Sequence, residues 1–78
     1  MDSRKTDRDR IAGEVRAVMA RKGIGVGQLA QALDINPLVL GRKLNGTSPI
    51  GLEEMRDIAR ALDMSPSELI NAALVAAA

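Results

Sequence analysis

Ile11, Val15, Val18 and Met19 stand at i, i+4, i+7 and i+8, the spacing of one helical face, while Glu14, Arg16 and Arg21 fall off it. This predicts a first helix over about residues 9 to 22. Gly23 and Gly25 on either side of Ile24 read as a helix stop and a short connection. Val26, Leu29, Ala30 and Leu33 then resume the stripe, predicting a short second helix over 26–33. Asp34 and Ile35 form a tight turn before Asn36-Pro37, a capping acceptor followed by the residue whose fixed φ suits the first helical position. A third helix starts there and runs to about Leu44. Asn45-Gly46-Thr47-Ser48-Pro49 cannot continue it and is a loop. Leu52, Met55, Ile58, Ala59 and Leu62 give a fourth helix over about 51–62, with Glu53 and Glu54 in the first turn, where the helix dipole favours negative charge. Ser65-Pro66-Ser67-Glu68 has the form of a capping box, and Leu69, Ile70, Ala73 and Leu74 follow in a fifth helix over about 66–76. No strand alternation, internal repeat or linker is visible, so the expectation is one all-α, five-helix domain over residues 11–78.

Composition narrows the chemistry. With 78 residues and 46% hydrophobic content the chain is long enough for one small core. It has no Cys and no His, so disulfides, thiolate or imidazole metal sites, a cysteine nucleophile and the usual neutral-pH proton shuttle are excluded. No catalytic site, metal site or cofactor is expected. Phe, Tyr and Trp are absent too, which removes the stacking platforms used to bind single strands and RNA. A nucleic-acid partner would be duplex. The longest apolar run, Ala72 to Ala78, is far below the roughly 20 residues of a membrane span, and Met1 to Arg10 does not lead into the apolar stretch of a secretory signal. A cytoplasmic location, in the bacterial nucleoid or an infected host cell, is the default expectation.

The net charge of +1 hides an asymmetry: residues 1–46 carry nine basic residues against five acids, whereas residues 47–78 carry Arg56 and Arg60 against five acids. Either one end faces a polyanion or these are solvated helix faces. Glu53 and Asp57 lie one turn apart, but interleaved with Arg56 and Arg60 they read as ordinary surface charge rather than a carboxylate pair.

The second and third helices, joined by a tight turn, have the form of a helix-turn-helix, with Ala30 small enough to let one helix cross close over the other. At 100° per residue, Pro37, Leu40 and Leu44 fall on one side of the third helix, and Leu38, Val39, Gly41, Arg42 and Asn45 on the other. Exposed aliphatics, an interior glycine and an arginine make a poor solvated surface, since glycine costs roughly 1 kcal/mol there relative to alanine. They suit a DNA major groove, with Leu38 on thymine methyls, Gly41 permitting close approach and Arg42 on guanine O6 and N7. A protein-partner surface is the alternative for the same face.

At these residues the chain resembles the Cro/C1-type (XRE-like) helix-turn-helix family of phage and bacterial repressors, the lambda-repressor-like fold. The resemblance runs over about residues 11–75 and rests on Leu29-Ala30, Arg42-Lys43-Leu44-Asn45-Gly46, Ser48-Pro49, Leu52-Glu53-Glu54-Met55, Ile58-Ala59-Arg60-Ala61-Leu62 and Ser65-Pro66-Ser67-Glu68-Leu69 in order. It implies a third helix in the major groove, reading bases from Asn36, Pro37 and Leu38 and, one turn on, Gly41 and Arg42. It implies phosphate contacts from Val26, Gly27 and Gln28 at the start of the second helix, and from Lys43, Asn45, Gly46, Thr47 and Ser48 around the following loop. Gly25 and Val26 stand where the family often has a hydroxyl cap followed by Gln, Asp34 where Gly is common, and Pro37 and Leu38 where polar readers are frequent. Readout should therefore lean on Arg42 and apolar contacts.

Two flanking segments complete the expectation. Residues 1–10, apolar-poor and of mixed charge, read as a flexible segment, either an arm laying Arg4, Lys5, Arg8 or Arg10 on DNA or an inert tail. The alanine-rich fifth helix is either a weak homodimer interface through Leu69, Ala73, Leu74 and Ala77 or a fraying end. The functional expectation is a sequence-specific duplex-DNA-binding transcriptional regulator, a phage Cro-like or immunity repressor blocking promoters at an inverted repeat, without cofactor. The alternative is an antitoxin-like interaction module that binds a partner through the C-terminal helix and autoregulates on DNA.

Overall fold

The computed structural model describes residues 3–77, with side chains placed over residues 8–75. Five helices follow one another: α1 (Ser3–Lys22), α2 (Val26–Leu33), α3 (Pro37–Leu44), α4 (Leu52–Ala61) and α5 (Pro66–Ala77), with no strand among the described residues. α1 and α5 pack along each other, α4 rests on both α5 and α2, and α3 is held by α2 and α1. The core they enclose is aliphatic throughout: Val15, Leu29, Leu40, Leu44, Ile58, Leu62 and Leu69 are fully buried, and among the described residues no polar or charged one is buried with them. Ala30 and Ala59, at 1% and 0% exposure, are the small contact points that let neighbouring helices approach.

The four later helices lie within one residue of the ends read from the sequence, but α1 begins six residues early. Residues 3–10 are helical where an irregular segment was expected. An apolar stripe cannot reveal such turns, because they carry none. Two things favour helix there. Lys5 and Asp9 stand at i, i+4, a spacing that supports helices. The loop after α3 also docks on this part of α1: a Cβ built on Gly46 would lie 3.3 Å from Asp9 Cα.

Four helices end in the same way. After α1, α2, α3 and α4 the chain turns through a residue of positive φ, respectively Gly23 (69°), Asp34 (55°), Gly46 (79°) and Asp63 (57°). In each case this residue's N–H reaches back to a carbonyl three positions earlier and the next N–H to one five positions earlier, as in Asp34 to Gln31 at 3.2 Å and Ile35 to Ala30 at 3.0 Å. This two-bond cap satisfies carbonyls that the helix end leaves open. Asp tolerates the left-handed conformation better than most residues, so α2 and α4 close without glycine.

The structure also corrects the expectation of no repeat. Ala32-Leu33-Asp34-Ile35-Asn36-Pro37 and Ala61-Leu62-Asp63-Met64-Ser65-Pro66 are the same turn written twice, a capped helix end running into a proline-started helix. They differ at the new cap. Asn36 Oδ1 accepts from the Leu38 N–H at 2.8 Å, whereas the expected capping hydroxyl of Ser65 pairs with that of Ser67 at 2.8 Å. The turn that aims α3 is thus side-chain capped.

Candidate nucleic-acid interface

α3 hangs on two anchors, Leu40 and Leu44, buried on its inner side. Its outer side is bare: Leu38 is 75% exposed and Val39 45%, with Arg42 and Asn45 exposed beside them. Pro37 is exposed as well, a correction to the helical wheel that set it with Leu40 and Leu44. At the first helical position it sits at the end of the α2–α3 crossing, outside the part the core covers. Val39 belongs to this surface, although the sequence reading left it out of the base-contacting set.

Two glycines mark the surface. A Cβ added to Gly41, inside α3, or to Gly27, in the first turn of α2, would meet nothing within 4 Å. Packing therefore does not require glycine at either place, and each weakens its helix by roughly 0.5–1 kcal/mol relative to alanine. Space kept open at a cost in stability is what a closely approaching ligand needs. Gly41→Ala is accordingly expected to raise the unfolding midpoint, by about 0.5–1 kcal/mol in stability, while weakening duplex binding. Urea titration followed by helical circular dichroism, with binding measured in parallel, checks both; tighter binding would show that nothing approaches Gly41.

The start of α2 is open. Gly25 supplies no side-chain acceptor, and the Gln28 amide oxygen instead folds back to accept the Gly25 N–H at 3.0 Å. The N–H groups of Val26, Gly27 and Gln28 begin the helix on exposed residues, the arrangement that holds a phosphate. The loop after α3 is different. The N–H groups of Asn45, Gly46, Thr47 and Ser48 donate to the carbonyls of Gly41, Lys43, Arg42 and Arg42. Their backbone is occupied, so the exposed Asn45 and Thr47 and the half-buried Ser48 have only side chains to offer a phosphate.

Lys43 is occupied too. Its ammonium lies 2.6 Å from Glu54 and 3.4 Å from the Pro49 carbonyl oxygen, pinning the loop between the end of α3 and the start of α4. Glu54 also accepts the Gly51 N–H at 3.2 Å, so one carboxylate starts α4 and holds the loop. The Lys43 hydrogen bond holds the Glu54 carboxyl below its ordinary value of 4.5, with the Gly51 N–H and the lysine charge assisting; partial burial pushes the other way. A carboxyl with a depressed folded-state pKa stabilises the fold above its unfolded value and loses that contribution as pH falls through the folded value. Glu54→Gln is therefore expected to cost up to about 1 kcal/mol near neutrality. In urea titrations across pH the difference should vanish below the ordinary carboxylate range; a gap that persists in acid would rule out the ion pair as its source.

Of the arm residues, Arg4 and Lys5 lie outside the described side chains, Arg8 is half-buried, and Arg10 is exposed but engaged within the chain. At the far side, the α5 set divides. Leu69 and Ala73 are buried in the chain's own core at 0% and 3% exposure, a correction to their reading as interface, and Ala77 lies outside the described side chains. The apolar surface is instead Leu74 at 62%, Val75 at 77% and, on α4, Leu52 at 68%. Leu52 and Leu74 border a groove floored by Ile11, Ile50, Met55, Ile70 and Ala73. Asp57 sits 3.9 Å from Arg60 as a surface pair, and no cluster of carboxylates able to hold a metal occurs among the described residues. Nor is any described helix long and apolar enough to cross a membrane.

Two short helices packed on each other, with Ala30 buried in the first and the second capped, anchored from one side and bare on the other, define a helix-turn-helix. The Cro/C1-type HTH DNA-binding domain matches residues 14–73, and the chain belongs to that family. No curated protein matches it in sequence. Among solved structures, one of the clp gene regulator ClgR from Corynebacterium glutamicum superposes with a TM-score of 0.80 at 23% identity, covering 88% of this chain and 90% of that one. A second structure of the same regulator gives a TM-score of 0.82 at 22% identity over 91% of this chain and 76% of that one. This likeness is one of fold.

Proposed function

We propose that the chain is a sequence-specific regulator of transcription that reads duplex DNA with α3 and represses by covering promoter DNA, in the manner of phage Cro-like or immunity repressors. The observation that carries this reading is the bare outer face of α3, where Leu38 and Arg42 flank a glycine that packing does not need. In the proposal Leu38, Gly41 and Arg42 meet base edges, with Asn36 and Pro37 at the entry of the helix. Val26, Gly27 and Gln28 hold one phosphate by backbone N–H groups, and Asn45, Thr47 and Ser48 hold another by side chains. Lys43 keeps the loop in place. The regulator of like fold, ClgR, supports a role in transcription.

The proposal includes a weak homodimer through the exposed part of α5, centred on Leu74 and Val75, on an inverted repeat with half-sites about 34 Å apart. The same patch, with Leu52, favours a second reading in which a different protein covers it, as an antitoxin's partner would.

The test is selection of bound duplexes from a random pool at near-physiological salt, followed by binding of variants to the winner. An inverted repeat with half-sites roughly ten base pairs apart is expected. Arg42→Ala should lose ~1–3 kcal/mol on that duplex and little on random DNA, whereas Thr47→Ala should weaken both alike. Equal losses for Arg42→Ala on the two duplexes remove its base-reading role, and a pool that enriches no sequence refutes the regulator reading.

A further inference from the structure

Leu38 and Arg42 are four residues apart on α3, so their Cβ atoms are neighbours on one line of its outer face, about 5–6 Å apart. Successive base pairs are about 3.4 Å apart along the duplex, so this separation lets the two side chains reach adjacent steps of one groove. The pair is chemically unusual for a surface. Leu38 is 75% exposed, has no hydrogen-bonding group and makes no contact that the fold requires. Asn36, the polar residue nearest it in sequence, is turned to the backbone, its Oδ1 on the Leu38 N–H. Gly41 adds no side chain between them and the groove. What a major groove offers an aliphatic side chain is one group, the 5-methyl of a pyrimidine. What it offers an arginine is, above all, the O6 and N7 edge of guanine. A 5-methyl on the pyrimidine immediately 5′ to a guanine lies beside that edge, so a guanidinium bonded to the guanine also rests against the methyl group.

We propose that Leu38 and Arg42 act as one reading unit for a 5-methylpyrimidine followed by guanine, so that each half-site contains a thymine–guanine step whose methyl group is itself recognised. This deepens the DNA-reading assignment of the preceding subsection and rests on it. It also gives the protein a chemical sensitivity: 5-methylcytosine in the same place presents the same methyl group and should be bound better than unmethylated cytosine, as thymine should be bound better than uracil.

The test uses the full chain and the duplex selected from the random pool. Deoxyuridine replaces the thymine 5′ to the guanine read by Arg42, which removes one methyl group and leaves the base pairing unchanged. Affinity of the unaltered protein should fall about threefold to fivefold. With cytosine at that position, converting it to 5-methylcytosine should raise affinity by a similar factor. Leu38→Ala should bind all these duplexes with lowered affinity and show a clearly smaller difference between methylated and unmethylated ones, keeping only the part that the Arg42 guanidinium carries, and its circular dichroism should match the parent, since Leu38 is 75% exposed. A uracil duplex bound as well as the thymine duplex, the same uracil loss in Leu38→Ala, or a selected half-site with no thymine 5′ to guanine each overturns the inference while leaving sequence-specific binding intact. A pool that enriches no duplex overturns this inference together with the assignment beneath it.

Discussion

Leu40→Ala is expected to cost about 2–5 kcal/mol of stability and to abolish specific DNA binding under conditions where most of the chain remains folded. Leu40 is 0% exposed and borders Leu33, Ile35 and Ile58, so truncation leaves a void among groups belonging to α2, the turn and α4. A domain of this length has roughly 4–12 kcal/mol in total at typical stability per residue. The loss should lower the thermal midpoint by at least ~8 °C, at about 4–8 °C per kcal/mol. The effect on function should be larger than the global loss implies. α3 has eight residues, too few to be helical alone, and only Leu40 and Leu44 of its side chains are buried. With one anchor shortened, its orientation is fixed by the other. Leu69→Ala in α5, equally buried, is the comparison: it should lower the midpoint similarly yet bind DNA normally below it. Both are followed by circular dichroism, because the chain has no aromatic residue to report on folding. A Leu40→Ala protein that melts within a few degrees of the parent, or that binds as well as Leu69→Ala, would remove Leu40 as the anchor of α3.

The contrast between those residues shows what the sequence could reveal. Leu40 and Leu44 are the only apolar pair on α3 at the i, i+4 spacing, so its two inward anchors were readable by counting, although the same counting set Pro37 with them. In α5 nearly every position is apolar, and counting cannot separate Leu69 and Ala73, which are buried, from Leu74 and Val75, which are not. That division depends on where α1 lies. Helix ends follow the same logic. Gly23 and Gly46 advertise a left-handed turn, but Asp34 and Asp63 perform the same closure with no glycine to announce it. The exposure of the candidate residues was legible in the sequence more than their hydrogen bonding. That Lys43 is held by Glu54 and that the loop N–H groups are spent on α3 carbonyls are facts of hydrogen-bond saturation. They arise only once the loop has folded back, and they leave the phosphate contacts proposed for the loop to its side chains.

That folding back depends on Gly46, and Gly46→Val is expected to destabilise the protein by about 3 kcal/mol while loosening the loop beside α3. Two separate costs add. At φ 79° a β-branched residue is strained, whatever space surrounds it. There is no space either: a Cβ would lie 3.3 Å from Asp9 Cα, which is backbone of α1 and cannot swing aside as the Asp9 carboxylate can. The bonds from Gly46, Thr47 and Ser48 to the carbonyls of Lys43 and Arg42 all run through this residue's conformation. Losing them would free the loop from α3, so the phosphate contacts proposed for Asn45 and Thr47 should weaken on every sequence alike. The conformational and packing costs can be separated. Gly46→Asn accepts positive φ better but keeps a Cβ against α1, so it should recover only the conformational part. Thermal melts of the two variants should therefore rank parent, Asn, Val. A Gly46→Asn protein as stable as the parent would mean that α1 yields at Asp9, and that the close approach of loop and helix is not what fixes the loop.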